Sequence, residues 1–148
     1  MIDMLLQPIT QLPFEGIEAL AAAARGEGFR FLDRLIDDWQ PGANRFDAPG
    51  EILLGAFSGS RLVGVGGLNR DPYANEAKVG RIRRLYVAPD FRRQGAASLL
   101  VGRLVDIGRA HYEVLRLRVP NAAAAAFYEA LGFTPIEEQD ATHFLRFA

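Results

Sequence analysis

The stretch "RIRRLYVAPDFRRQGAASLLV", residues 81–101, runs from a strand through a turn into the start of a helix. Beyond it, Leu99, Leu100, Leu104 and Ile107 recur at helical spacing with Arg103, Asp106 and Arg109 between them, which predicts a helix over Gln94–His111. The first amides of a helix have no partner within it and carry the positive end of the macrodipole. Gly95, Ala96, Ala97 and Ser98 place little side-chain bulk in front of those amides, so a phosphate can approach closely. Arg92 and Arg93 add positive charge at the rim. The plainer reading is a solvated arginine pair before a helix and a glycine turn.

The strand feeding this turn carries a second sign. Its apolar residues fall at Ile82, Leu85 and Val87, so the alternation slips once, as a bulge makes it do. A bulge there splays the strand from a parallel neighbour and leaves backbone groups free to bond a ligand laid between them. The neighbour is supplied by "VLRLRV" at 114–119, which alternates strictly. Strand, helix and strand in that order imply a parallel pair with a right-handed crossover.

Working outward, residues 2–8 read as a strand. "FEGIEALAAAARGEG" reads as a helix ended by Gly26 and Gly28, and "FRFLDRLIDDWQ" as a second helix with Phe31, Leu32, Leu35, Ile36 and Trp39 on one face. Runs at 52–57, 61–68 and 80–87 form an antiparallel meander, its first two strands joined at "SGS". Gly64, Gly66 and Gly67 thin the middle strand for close packing or a bulge. "NAAAAAFYEALGF" is a short helix closed by Gly132, and "FTPIEE" and "THFLRFA" are two last strands. Neither a Walker loop nor a complete dinucleotide fingerprint is present.

With 148 residues, a net charge of −1 and no cysteine, the composition fits one globular domain over 1–148 and excludes disulfides, thiolate metal sites and a covalent cysteine intermediate. The N-terminus lacks the basic region of a secretory signal, and no stretch approaches a membrane span, so a cytoplasmic protein is expected. The near-neutral charge, without an aromatic stacking motif, argues against nucleic-acid binding through Arg81, Arg83, Arg84, Arg92 and Arg93.

"RRLYVAPDFRRQGAASLLV" resembles the acetyl-CoA signature of the GCN5-related N-acetyltransferase (GNAT) superfamily, Q/R-x-x-G-x-G/A, here Arg92-Arg93-Gln94-Gly95-Ala96-Ala97. "LRVPNAAAAAFYEALGF" is similar to its second signature: a strand, an Asn, a short helix with Tyr and a closing Gly-Phe. Together they cover residues 80–134. The resemblance implies an α/β (α+β) single-domain fold, with a mixed, mostly antiparallel sheet of about six or seven strands, a splayed parallel pair and about four helices. It implies acetyl-CoA as cosubstrate, no metal, and a small-molecule or peptide amine as acceptor, with neither nucleic acid nor membrane as partner; a homodimer is left open. Backbone groups of Leu85, Tyr86 and Val87 would contact the pantetheine arm, and amides from Arg93 to Ser98, Gln94 included, would hold the diphosphate. Asn121 would bond the cosubstrate or brace the splay, and can cap the following helix at the same time. Tyr128 would sit near the sulfur as the catalytic acid; otherwise it is a core aromatic beside Phe127.

The chain departs from family members with a glutamate on the fourth strand, since 81–84 read Arg-Ile-Arg-Arg. Glu51, Asp71, Glu76, His143 or a water chain remain as candidate bases. Phe29, Phe31, Trp39 and Tyr73 are candidates to line an acceptor cleft, and Asp33, Asp37 and Asp38 to attract an ammonium group. A non-catalytic acyl-CoA-binding module is the alternative function.

Overall fold

The computed structural model describes residues 4–148. Its elements are β1 (Leu5–Pro8), α1 (Glu15–Gly26), α2 (Phe31–Trp39), β2 (Ile52–Ser58), β3 (Arg61–Arg70), β4 (Val79–Val87), a 3-10 turn at Pro89–Phe91, α3 (Ala96–Arg109), β5 (Val114–Leu117), α4 (Ala122–Ala130), β6 (Thr134–Pro135) and β7 (His143–Arg146). The strands form one seven-stranded sheet in the order β1-β2-β3-β4-β5-β7-β6. Among its pairs β4 and β5 alone run parallel, with α3 as the crossover between them. This is the architecture that the resemblance implies.

Each face of the sheet is covered by helices whose apolar residues recur at helical spacing. Ile17, Leu20, Ala21 and Ala24 of α1 join Leu32, Leu35 and Trp39 of α2 against Leu53, Val65 and Tyr86 on one face. On the other, Leu100 and Leu104 of α3 pack with Leu68, Ile82 and Leu115, and Tyr128 of α4 joins that layer. Such burial is the main favourable term in folding, about 25 cal/mol per Å² of apolar surface. Gly67 shows why β3 is thin: a Cβ there would lie 2.4 Å from the ring of Phe46.

Several boundaries differ from the sequence reading. The first strand is Leu5–Pro8, and the expected residues 2 and 3 lie outside those described. Helix α3 starts at Ala96 rather than Gln94, because Arg93 (φ 63) and Gly95 (φ 89) adopt left-handed backbone that no right-handed helix contains. Strand β5 stops at Leu117 instead of 119. The expected strand over 133–138 shrinks to Thr134–Pro135, where Pro135 has no amide to continue a ladder. Among the described residues, no helix is long and apolar enough to cross a membrane.

Candidate functional site

Strands β4 and β5 pair through Val79, Gly80 and Arg81 with Val114, Leu115 and Arg116, and their pairing ends there. Beyond it a cleft of about 1030 Å³ opens between Ile82–Val87 on one side and Leu117–Asn121 on the other. Along its other edge β4 stays paired with β3, but Val65 faces Tyr86 while Gly67 faces Arg83, leaving Arg84 and Leu85 opposite Gly66 alone. This is the bulge that the spacing of Ile82, Leu85 and Val87 predicts. Arg84 carries it at φ 60, a left-handed conformation costing an L residue about 1–2 kcal/mol. Strain of this kind collects at functional sites.

At the far end of the cleft stands the N-terminus of α3. Gly95 caps it without a side-chain bond, and the first backbone bond into the helix is Leu99 N–H to Gly95 O at 3.0 Å. The amides of Ala96, Ala97 and Ser98 therefore have no capping partner, and all three residues line the cleft. The two residues before them in left-handed backbone, Arg93 and Gly95, have the kind of turn conformation found in anion-binding nests.

The family pattern of the Acetyltransferase (GNAT) family matches residues 15–133. The chain belongs to the GNAT family. N-alpha-acetyltransferase RimI of Mycobacterium tuberculosis is 33% identical over 103 residues, 66% of this chain; that match spans 62% of RimI, less than two thirds of its length. Among solved structures, a candidate acetyltransferase from Exiguobacterium sp. 255-15 superimposes with a TM-score of 0.87 at 25% identity, covering 98% of this chain and 94% of the other. PaiA N-acetyltransferase from Thermoplasma acidophilum, in complex with coenzyme A, has the same fold, with a TM-score of 0.71 at 18% identity over 99% of this chain and 100% of the other.

The GNAT cleft gathers most of the expected site residues. Leu85, Tyr86, Val87, Arg92, Arg93, Gly95, Ala96, Ala97, Ser98, Asn121 and Tyr128 border it, whereas Gln94 does not, its side-chain amide being turned back to donate to Asp90 O at 3.2 Å. Asn121 caps α4, its Oδ1 accepting from Ala124 N–H at 2.9 Å. Asn121→Ala should cost about 1 kcal/mol of stability by urea unfolding, and Asn121→Asp, which keeps the acceptor, should restore most of it. Tyr128 packs edge-on between Phe127 and Phe133, with ring centroids 5.1 and 5.4 Å away. Burial pushes its phenol pKa well up, and among the described residues its hydroxyl bonds no protein group.

Glu27, at the end of α1, escaped the sequence reading. It accepts from Tyr86 Oη at 2.5 Å and from both terminal nitrogens of Arg92 at 2.6 and 2.8 Å. The bond from Arg92, then that from Tyr86, holds its carboxyl down at about 2, while burial first and Glu27 second push the Tyr86 phenol up to about 12. Arg92 also donates through Nε to Val87 O at 3.1 Å. The cation expected free at the rim is thus already neutralised, and Arg93 is the one with no ion-pair partner among the described residues. No local signal marks Glu27, which lies 65 residues from Arg92.

A depressed carboxyl stabilises the fold above its unfolded value of 4.5 and loses that contribution as pH falls towards about 2. Urea unfolding at pH 6 and pH 3 should accordingly show a smaller acid loss in Glu27→Gln than in the parent.

None of the candidate bases reaches the cleft. Glu51 accepts from Arg70 N–H at 3.0 Å and lines a separate cavity of about 630 Å³ beside β1 and Trp39. Asp71 is buried between Arg81 and Arg116, each at 3.3 Å, a pairing that compensates its charge. Glu76 is exposed on the β3–β4 connection. His143 is buried on β7, its Nε2 2.9 Å from Glu129 Oε2 and its Nδ1 2.9 Å from Thr142 Oγ1.

The acceptor side differs from expectation in the same way. Phe29, Phe31 and Tyr73 line the cleft, but Trp39 belongs to the core. Asp33 pairs with Arg25 and Arg30, and neither Asp37 nor Asp38 lines the cleft. Arginines replace the expected acids: seven border the cleft, with no aspartate, glutamate or histidine among the lining residues. Arg81 alone among them is buried, on Asp71 and the carbonyl of Asp140.

Proposed function

We propose that this GNAT protein is an acetyl-CoA-dependent N-acetyltransferase in which an amine attacks the thioester directly while both substrates are bound. One observation carries the reading: the uncapped amides of Ala96, Ala97 and Ser98, the unpaired edge of β4 and the unpartnered hydroxyl of Tyr128 share one cleft. In the proposed complex the amides hold the diphosphate, the backbone of Leu85–Val87 holds the pantetheine arm, and Asn121 keeps the β5 side in place. The amine nitrogen bonds the carbonyl carbon, the carbon–sulfur bond breaks, the departing thiolate takes the proton of Tyr128, and the proton shed by the acylated nitrogen passes to water, from which the Tyr128 phenolate is reprotonated.

The lining suits one kind of amine. A lysine-type amine with a pKa near 10.4 is free base in about one molecule in 10³ at pH 7, a deficit of roughly 4–5 kcal/mol that a dedicated base would have to relieve. An α-amine near 8 is free in about one in ten, a deficit of only ~1 kcal/mol. A cleft without carboxylate or imidazole therefore favours α-amines, which agrees with the name of the RimI relative.

The missing base also favours a second reading, a module that binds acyl-CoA without turnover. A thiol-release assay with acetyl-CoA across peptide α-amines and alkyl amines separates the two. Release with α-amines supports the enzyme; tight acetyl-CoA binding with release from no amine supports the module.

A further inference from the structure

We infer that Arg83 and Arg84 form an oxyanion subsite for the acceptor, so that the amine acetylated in this cleft carries a carboxylate or phosphate group near its nitrogen; this rests on the acetyltransferase reading above. Three of the other five arginines of the cleft are engaged, and Arg34 and Arg93, which are not, are exposed to water. Arg81 holds Asp71, Arg92 holds Glu27, and Arg118 donates to Gln139 O at 2.5 Å. Arg83 has no ion pair or side-chain hydrogen bond among the described residues, and the nearest acid to Arg84 is Asp38 at 3.9 Å, beyond hydrogen-bond reach. Arg84 is nonetheless 11% exposed, and its buried Nε has no hydrogen-bond partner.

Burying an uncompensated guanidinium is costly, and two side by side cost more. The strain appears in their protonation: burial chiefly, then the charge of Arg83, brings Arg84 down to about 10, and burial also lowers Arg83. An oxyanion relieves both, and the planar fork of arginine matches carboxylate and phosphate with two parallel bonds.

Position separates this subsite from the cosubstrate. Arg84 and Arg83 lie three and four residues back along β4 from Val87, roughly 10–13 Å at 3.3 Å per residue, away from the end of the strand that leads into α3. They stand near Tyr73 of the β3–β4 connection and share the cleft with Phe29 and Phe31. The β4 bulge sets this up, its cost being met at Arg84 itself, the residue at φ 60.

The test uses four C-terminally amidated dipeptides that share one α-amine: alanyl-glutamate, alanyl-glutamine, alanyl-phosphoserine and alanyl-serine. Calorimetry of their N-acetylated forms reads the subsite without requiring turnover, and thiol release reads the reaction. Binding is expected to be about 10–100-fold tighter for an oxyanion than for its neutral counterpart, falling below about threefold in Arg84→Gln and in Arg83→Gln. Preference for the glutamyl or for the phosphoseryl form names the source. Equal binding of charged and neutral forms would overturn the subsite, as would a preference that survives both substitutions or a matching loss of coenzyme A affinity. Absent thiol release with the binding preference intact would instead strike the acetyltransferase reading alone.

Discussion

Gly95→Glu should remove detectable acetyl-CoA binding, a loss of at least about 10²-fold by calorimetry, in a protein that remains folded. A Cβ at this position meets no heavy atom within 4 Å, so the fold has room for it. What the chain loses is backbone freedom: φ 89 costs an L residue about 1–2 kcal/mol. A carboxylate there stands before the amides of Ala96, Ala97 and Ser98, competes for them from within the molecule and repels a diphosphate. It also complements the positive end of α3, which offsets part of the strain and keeps thermal stability near that of the parent. Gly95→Ala isolates the backbone cost, and its affinity should fall far less. Unchanged affinity in folded Gly95→Glu would contradict the assignment.

Tyr128→Phe should lower turnover by about one to three decades while acetyl-CoA affinity and stability barely change. The substitution keeps the edge-on contacts with Phe127 and Phe133, and the hydroxyl bonds no protein group among the described residues, so nothing buried is left unsatisfied. Burial raises the phenol above its ordinary value of 10.0, so the hydroxyl stays protonated through the neutral range. Parent and variant should thus give parallel pH profiles below about pH 10, displaced in rate alone. Unaltered turnover would remove Tyr128 as the acid.

The parts of this protein written in neighbouring residues were legible from the chain. The turn before α3 announces itself because small residues, a glycine and a helical repeat stand together over residues 93–107. The bulge of β4 was visible because a strand whose apolar residues sit three apart must slip its alternation once. The second signature placed Asn121 at the head of α4 and Tyr128 in the cleft. What stayed hidden depends on contacts between distant segments. Glu27 meets Arg92 across 65 residues and cancels a charge that looked available. Asp71 looked like a possible base until Arg81 and Arg116 enclosed it. The arginines of β4 read only as a departure from a strand with a glutamate; the end of pairing with β5 is what leaves Arg83 and Arg84 bordering the cleft.

The electrostatic cradle at the head of α3 is tested most directly by following backbone amide resonances of the ¹⁵N-labelled protein as coenzyme A is titrated in. The largest shifts should fall on Gly95, Ala96, Ala97 and Ser98, saturate together with one equivalent, and vanish when pantetheine, which lacks the diphosphate, replaces coenzyme A. Saturable binding that leaves those four amides unmoved would contradict the account.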